Sequence, residues 1–196
     1  MTGGSAAPDA HSSAAVLTSS SEPGCTRRVS GLELRLWSDG DLDVLRAINV
    51  PAMKRYLGGP ETEEQLLRRH ARYVEETASG MLTMYVVRCA GEGIGSLGYW
   101  PVDRDGEPVY EAGWNIVPPY QGRGFATEVV RLMLAAAARS GGRRAVHAFP
   151  SADNAASNAT CRSAGFRLLG HREHEFPRGR WFRANDWRCD LDAERA

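Results

Sequence analysis

Lysine is almost absent from this chain of 196 residues, with Lys54 the single example beside an abundance of arginine. The bias reads as genome composition rather than function, and it leaves the basic side chains charged at any relevant pH. Excess charge of either sign is also lacking. The formal net charge is zero, so the bulk electrostatics calls for no nucleic acid and no anionic membrane as partner. Cysteine is sparse, at positions 25, 89, 161 and 189 with no C-x-x-C pair, which favours reduced thiols over a disulfide framework. The longest uninterrupted apolar run, Leu132 to Ala138, is far short of the ~20 residues a membrane span needs. The stretch from Met1 to Pro23 is rich in Ser, Ala and Gly and lacks the charged start and apolar core of a signal peptide. These absences together lead to the expectation of a cytoplasmic chain without internal repeats.

What is present is an ordinary globular composition, 42% hydrophobic and 24% charged, at a length that suits one domain. Residues 1–29 offer little to bury and are expected to be a disordered tail. The remaining domain, residues 30–194, is large enough to bury roughly 70% of the surface its unfolded chain exposes. Alternation from Leu32 to Trp37 marks a half-buried strand. Asp39 to Asp41 offer caps for a short helix through Leu42, Leu45 and Ile48, which Pro51 is expected to close before a loop at Leu57 to Pro60. A capping box at Thr62 and Gln65 opens the next helix, and Gly80 ends it. Three strands follow, Leu82 to Cys89, Ile94 to Trp100 and Val109 to Val117, as an antiparallel meander. A helix runs from the glycines near Arg123 to Gly141, then a strand (Ala145 to Phe149), a capped helix (Asp153 to Ala164) and two strands (Phe166 to Phe176, Phe182 to Leu191). The order β-α-α-β-β-β-α-β-α-β-β implies a mixed α/β sheet with helices packed on its faces.

The junction Val117-Pro118-Pro119-Tyr120-Gln121-Gly122-Arg123-Gly124-Phe125-Ala126 carries the most information. Two prolines at a strand's end remove two ladder donors, so pairing stops there. Glycines then turn the backbone tightly into a helix whose first N–H groups have no internal partners and face outward with the positive end of the dipole. Such an end suits a pyrophosphate. Taken alone, the same residues also fit a plain strand-to-helix turn.

This segment resembles the GNAT superfamily of N-acetyltransferases, whose signature is Gln/Arg-x-x-Gly-x-Gly/Ala between a strand and a helix; Gln121, Gly124 and Ala126 fit it. Downstream, Asn154-Ala155-Ala156-Ser157-Asn158 followed after one helix by Gly165-Phe166 is similar to the branch that includes the ribosomal-protein (Rim-type) N-terminal acetyltransferases. The resemblance covers about residues 31–192. It implies a mostly antiparallel sheet with helices on both faces and a cleft where the strands 109–117 and 145–149 splay. It further implies acetyl-CoA as cosubstrate, an amine acceptor as the second partner, and a monomer or homodimer. The pantetheine arm would pair with the backbone near Ile116 and Val117, and the pyrophosphate would sit on the amides of Gly122, Arg123, Gly124, Phe125 and Ala126. Asn154 and Ser157 would reach the pantetheine and the thioester sulfur.

An aliphatic amine has a pKa near 10, so about one molecule in 10³ is neutral at pH 7, and reaching that form costs roughly 4 kcal/mol. A positioned base can supply part of this. The resemblance implies direct attack on the thioester, with the base acting through water and an acid protonating the leaving thiolate. Glu111 lies ten residues before Gln121, where the resemblance implies that the family often carries a catalytic glutamate, and shares a strand face with Gly113 and Asn115. It is equally readable as a solvated glutamate or an arginine's partner, and Glu173 and Glu175 stand in reserve. Where many members place an acidic tyrosine, this chain has Cys161. Ser157 can stabilise the thiolate instead, or simply cap its helix with Asn154. Loss of the tyrosine leaves open an alternative, a non-catalytic module that holds acyl-CoA.

Other patterns carry less. Gly93-Ile94-Gly95-Ser96-Leu97-Gly98 matches a dinucleotide-binding fingerprint but leads into Tyr99-Trp100-Pro101 rather than a helix. His171 and His174, three apart on a strand, face opposite sides and make a poor zinc pair, so no metal is expected. Asn158-Ala159-Thr160 matches a glycosylation sequon on a helix. Arg178, Arg180, Trp181 and Arg183 form a basic, aromatic turn. It is either a solvated loop or an acceptor-pocket rim facing Met53 to Pro60, which would favour an acceptor bearing a carboxylate or phosphate, or an acidic peptide.

Overall fold

Alternation in Leu32–Leu36 gives a strand with Leu32 and Leu34 buried. In the computed structural model, which describes residues 27–29 and 31–191, this strand (β2) pairs antiparallel with a short preceding strand, β1 (Arg27–Val29). The tail expected over residues 1–29 lies, up to residue 26, outside the described residues, and its last three form β1. Asp41 does not cap the helix that follows with its side chain. Its buried carboxylate instead accepts from the Ser38 amide (2.8 Å) and pairs with Arg35, closing a 3₁₀ turn at Asp39–Asp41 ahead of α1 (Leu42–Ile48).

Pro51 opens an element rather than only closing one. It sits in the first turn of α2 (Pro51–Lys54), where a missing N–H costs nothing. Lys54 is buried there against Glu61 (3.3 Å), which Arg69 also pairs at 2.6 Å. The α3 helix (Glu63–Ala78) begins with the reciprocal bonds of the capping box, Thr62 N–H to Gln65 Oε1 at 2.8 Å and Gln65 N–H to Thr62 Oγ1 at 3.3 Å.

The meander follows as β3 (Thr83–Cys89), β4 (Glu92–Arg104) and β5 (Glu107–Ile116). The Gly93–Gly98 run lies inside β4, and its glycines permit close backbone approach. A Cβ at Gly95 would stand 2.2 Å from the Asn115 carbonyl oxygen, and one at Gly98 2.6 Å from that of Thr83. The chain then forms α4 (Phe125–Ser140), β6 (Ala145–Ala148), α5 (Ala155–Ala164), β7 (Arg167–Glu175) and β8 (Trp181–Asp190). The eight strands make one sheet in the order β1-β2-β3-β4-β5-β6-β8-β7, antiparallel except at β5–β6. Val44 of α1 packs on the β4 face that carries Gly93, while α4 and α5 pack together. Among the described residues no helix is long and apolar enough to cross a membrane.

Candidate active site

Two neighbouring pairings differ in length, and the difference creates the cleft. β4 and β5 pair along their whole length, from Gly95 opposite Ile116 to Arg104 opposite Glu107. β5 and β6 pair only at Tyr110–Val146 and Glu111–His147, so from Ala112 onward β5 has an open edge. Backbone alternation decides which groups line that edge. The Val117 N–H donates to Ile94 O at 2.9 Å, toward β4. Trp114 and Ile116, in odd steps from it, therefore turn their N–H and C=O groups into the cleft.

Gln121 donates from Nε2 to the Ile116 carbonyl at 2.7 Å, tying the loop to the cleft edge. Val117 has both backbone groups engaged within the chain, its carbonyl accepting from Tyr120 N–H at 3.0 Å. That leaves Trp114 and the Ile116 N–H as the edge groups open to an extended partner. Gly122 and Gly124 both adopt left-handed φ, +73° and +79°, a conformation that excludes most other residues. Gly124 is the N-cap of α4 without a capping side chain, and the first backbone bond of the helix is Glu128 N–H to Gly124 O at 3.2 Å. The amides of Phe125, Ala126 and Thr127 are thus without helical partners. Beside them runs an open groove of about 590 Å³ lined by Arg123, Gly124, Thr127, Glu128, Arg131 and Leu132 among others. A free backbone edge leading to unpartnered amides and two arginines is the donor set that a pantetheine arm and its phosphates require.

On the far side of the cleft, Asn154 Oδ1 accepts from Ser157 N–H at 3.1 Å and caps α5. Ser157 Oγ has no hydrogen bond among the described residues and is free to serve a ligand. Tyr56, from the segment after α2, donates to the Asp153 carbonyl at 3.0 Å, joining the α2 segment to the start of α5. A Cβ at Gly58 would lie 3.0 Å from Arg180 Nη1, so the basic turn does meet the segment Met53 to Pro60. Trp181 beside it is 63% exposed.

Cys161, at the position where the resemblance leads to the expectation of a tyrosine, is fully buried in the core. Burial pushes its thiol up to about 12, and with no exposed surface it packs in the core out of reach of a ligand. Sequence reasoning missed the role of its neighbour Asn158. Its Nδ2 donates to Ser151 O (2.9 Å) and Asn154 O (2.8 Å), and its Oδ1 accepts from Asn185 Nδ2 (2.6 Å) and Trp187 Nε1 (2.8 Å). One side chain thereby fixes the start of α5 to β8.

The Tyr110 hydroxyl lies 3.1 Å from Ser140 Oγ of α4. Glu111, the next residue, therefore faces the opposite side, the one α1 covers. There it meets His174, whose Nε2 is 3.5 Å from Glu111 Oε1. His174 stacks on Phe149 at 4.5 Å, and Arg104 lies over the same ring at 4.0 Å. Close by, His147 Nδ1 and Asp186 Oδ1 are 2.7 Å apart, with Arg172 3.4 Å from the other Asp186 oxygen. Burial alone would raise the Asp186 carboxyl, but the His147 hydrogen bond and charge, with Arg104 and Arg172, hold it below the usual carboxylate value. Glu173 and Glu175 are not part of this assembly. They are exposed on the other face of β7, where Glu175 accepts from the Gly179 amide at 2.7 Å. His171 bonds Asn185 Oδ1 at 2.6 Å on that face, away from His174.

Comparison with known proteins agrees with this fold. A family model described as "Acetyltransferase (GNAT) domain" matches residues 31–167. Among solved structures, RimL, a ribosomal L7/L12 alpha-N-protein acetyltransferase in complex with coenzyme A, superposes with a TM-score of 0.72 at 23% identity, covering 84% of this chain and 97% of its own. Spermidine N-acetyltransferase from Vibrio cholerae, in complex with coenzyme A and spermine, gives 0.69 at 20% identity over 83% of this chain and 97% of that one. The aminoglycoside acetyltransferase AAC(6')-Ib with coenzyme A gives 0.66 at 20% over 81% and 94%. No curated protein sequence matches significantly.

Proposed function

The chain belongs to the GNAT acetyltransferase family, and we propose that it uses acetyl-CoA as cosubstrate, as bound in a similar structure, to acetylate a primary amine, on a small molecule or a protein N-terminus, by direct attack. The observation that carries this reading is the open β5 edge leading into the unpartnered amides of α4, with Glu111 on the same strand. When bound, acetyl-CoA supplies the acetyl thioester. Trp114 and Ile116 hold an extended arm along the strand, and the amides from Gly122 to Ala126 hold the phosphates.

Glu111 takes a proton from the acceptor's ammonium, directly or through one water, and so frees the nitrogen lone pair. The Ser157 hydroxyl is the donor available to the leaving sulfur, since Cys161 is sealed in the core. Similar structures carry the names of acetyltransferases for a ribosomal-protein N-terminus, an aminoglycoside and spermidine, so the test begins with that panel. Release of coenzyme A from acetyl-CoA is followed with a peptide bearing a free N-terminal serine, an aminoglycoside, and spermine. Glu111→Gln should keep acetyl-CoA affinity and lower turnover at least ~10²-fold at neutral pH, the low end of general-base assistance. The loss should shrink as pH rises and the acceptor arrives already neutral. A loss under about threefold, or one that grows with pH, removes Glu111 from this role.

A further inference from the structure

β7 stands three places from β5 in the sheet, a separation of roughly 14 Å for flat strands about 4.8 Å apart. Yet His174 of β7 lies 3.5 Å from Glu111 of β5, both side chains being about seven-eighths buried. The β7–β8 hairpin must therefore curl over the end of β6, which is only four residues long. Phe149, just past β6, fills the curve. Its ring stacks on His174 at 4.5 Å and on His147 at 5.8 Å, while Phe182 closes edge-on against His174 at 5.7 Å.

The charged groups around this stack come from every adjoining element: Arg104 from β4, Glu111 from β5, His147 from β6, Arg172 from β7 and Asp186 from β8. Asp105 lies 4.0 Å from Arg172 and its charge also acts on Arg104. Asp186 is already held by His147 and Arg172. Glu111 is thus the carboxylate left within ion-pair reach of His174 Nε2. Its other oxygen, Oε2, makes no hydrogen bond or close ion pair among the described residues, while the charge of Arg104 also acts on this carboxylate.

Resting on the reading of Glu111 as the base, we propose that His174 is its positioning residue: the imidazole, with Nε2 in ion-pair reach of Oε1 at 3.5 Å, steers the carboxylate so that Oε2 is presented to the acceptor amine, while Phe149 and Phe182 hold the imidazole. A carboxylate on a flexible side chain otherwise samples several rotamers, and a misplacement of an ångström at a reacting group lowers rates steeply.

The test is a double-mutant cycle on the full chain. Coenzyme A release is measured with spermine and with a serine-starting peptide as acceptors, and with water alone, whose attack needs the same base. His174→Phe keeps an aromatic ring in the stack and removes the donor. It should lower kcat about tenfold with the KM for acetyl-CoA unchanged. His174→Gln retains a donor and should recover to within about threefold of the parent. Combining His174→Phe with Glu111→Gln should cost no more than Glu111→Gln alone, because one residue acts through the other. Multiplying losses, a glutamine variant as slow as the phenylalanine one, or loss of coenzyme A affinity in both would make His174 a structural residue and overturn the proposal. A Glu111→Gln enzyme at full rate would instead overturn the base assignment itself.

Discussion

Replacing Asn158 by alanine probes the joint that sets the start of α5. Four hydrogen bonds end on this side chain, which is 7% exposed. The Asn154 carbonyl keeps a partner after truncation, since it also accepts from the Asn158 N–H at 3.0 Å. So does the Ser151 carbonyl, which accepts from the Asn154 N–H at 2.9 Å, whereas Asn185 Nδ2 and Trp187 Nε1 lose theirs. Each buried orphan costs about 1–3 kcal/mol, and a water entering the vacated space recovers part of it. A net loss of about 2–5 kcal/mol follows, which for a domain of this size lowers the melting temperature by roughly 5–15 °C. Asn158→Leu separates the causes, because it restores volume without restoring any bond and should be no better than alanine. Thermal unfolding followed by circular dichroism measures both. Acetyl-CoA affinity should fall with them, since Asn154 and Ser157 lose their anchor. An alanine variant melting within about 2 °C of the parent would refute the reasoning, being well below the roughly 5 °C minimum expected.

Two further outcomes are expected. Asp186 has its carboxyl depressed in the folded state, so the unfolded chain binds protons more readily there. Its contribution is complete above the unfolded carboxylate range and drains as pH falls from about 4 through the folded value. Asp186→Asn should therefore flatten the acid limb of a melting-temperature profile, and an unchanged slope would contradict this. Gly124→Val should weaken coenzyme A binding at least about tenfold in a titration, because φ of +79° strains a β-branched residue by roughly 1–3 kcal/mol. A Cβ there meets no atom within 4 Å, so the loss comes from backbone conformation and not from crowding inside the protein. Normal affinity would detach the loop from the cofactor site.

Much of the fold was legible because its signals are local. The Thr62–Gln65 box, the prolines ending β5 and the glycines before α4 act over a few residues, and each formed as its chemistry dictates. Pro51 was read only as a stop because a proline that ends one helix and begins the next looks the same from upstream. The glycines of β4 answer to backbones on β3 and β5, far away in sequence. Site residues divide the same way. Gln121 to Ala126 follow from a contiguous motif. Whether Ile116 or Val117 opens to the cleft depends on hydrogen-bond parity, which the register with Ile94 decides. Alternation along β7 already separated His174 from Glu173 and Glu175. Nothing in the sequence said which face would reach Glu111, since that depends on the β7–β8 hairpin curling over the end of β6.

The central claim is that coenzyme A lies along the parted edge of β5 with its pyrophosphate on the start of α4. Titrating isotope-labelled protein with coenzyme A and following every backbone amide by NMR tests it without any substitution. The account predicts that the largest shifts fall on Trp114, Ile116 and the run from Gly122 to Ala126, with smaller ones at Asn154 and Ser157. Saturable binding that leaves those amides unmoved and shifts another surface, such as the β7–β8 hairpin alone, would contradict it.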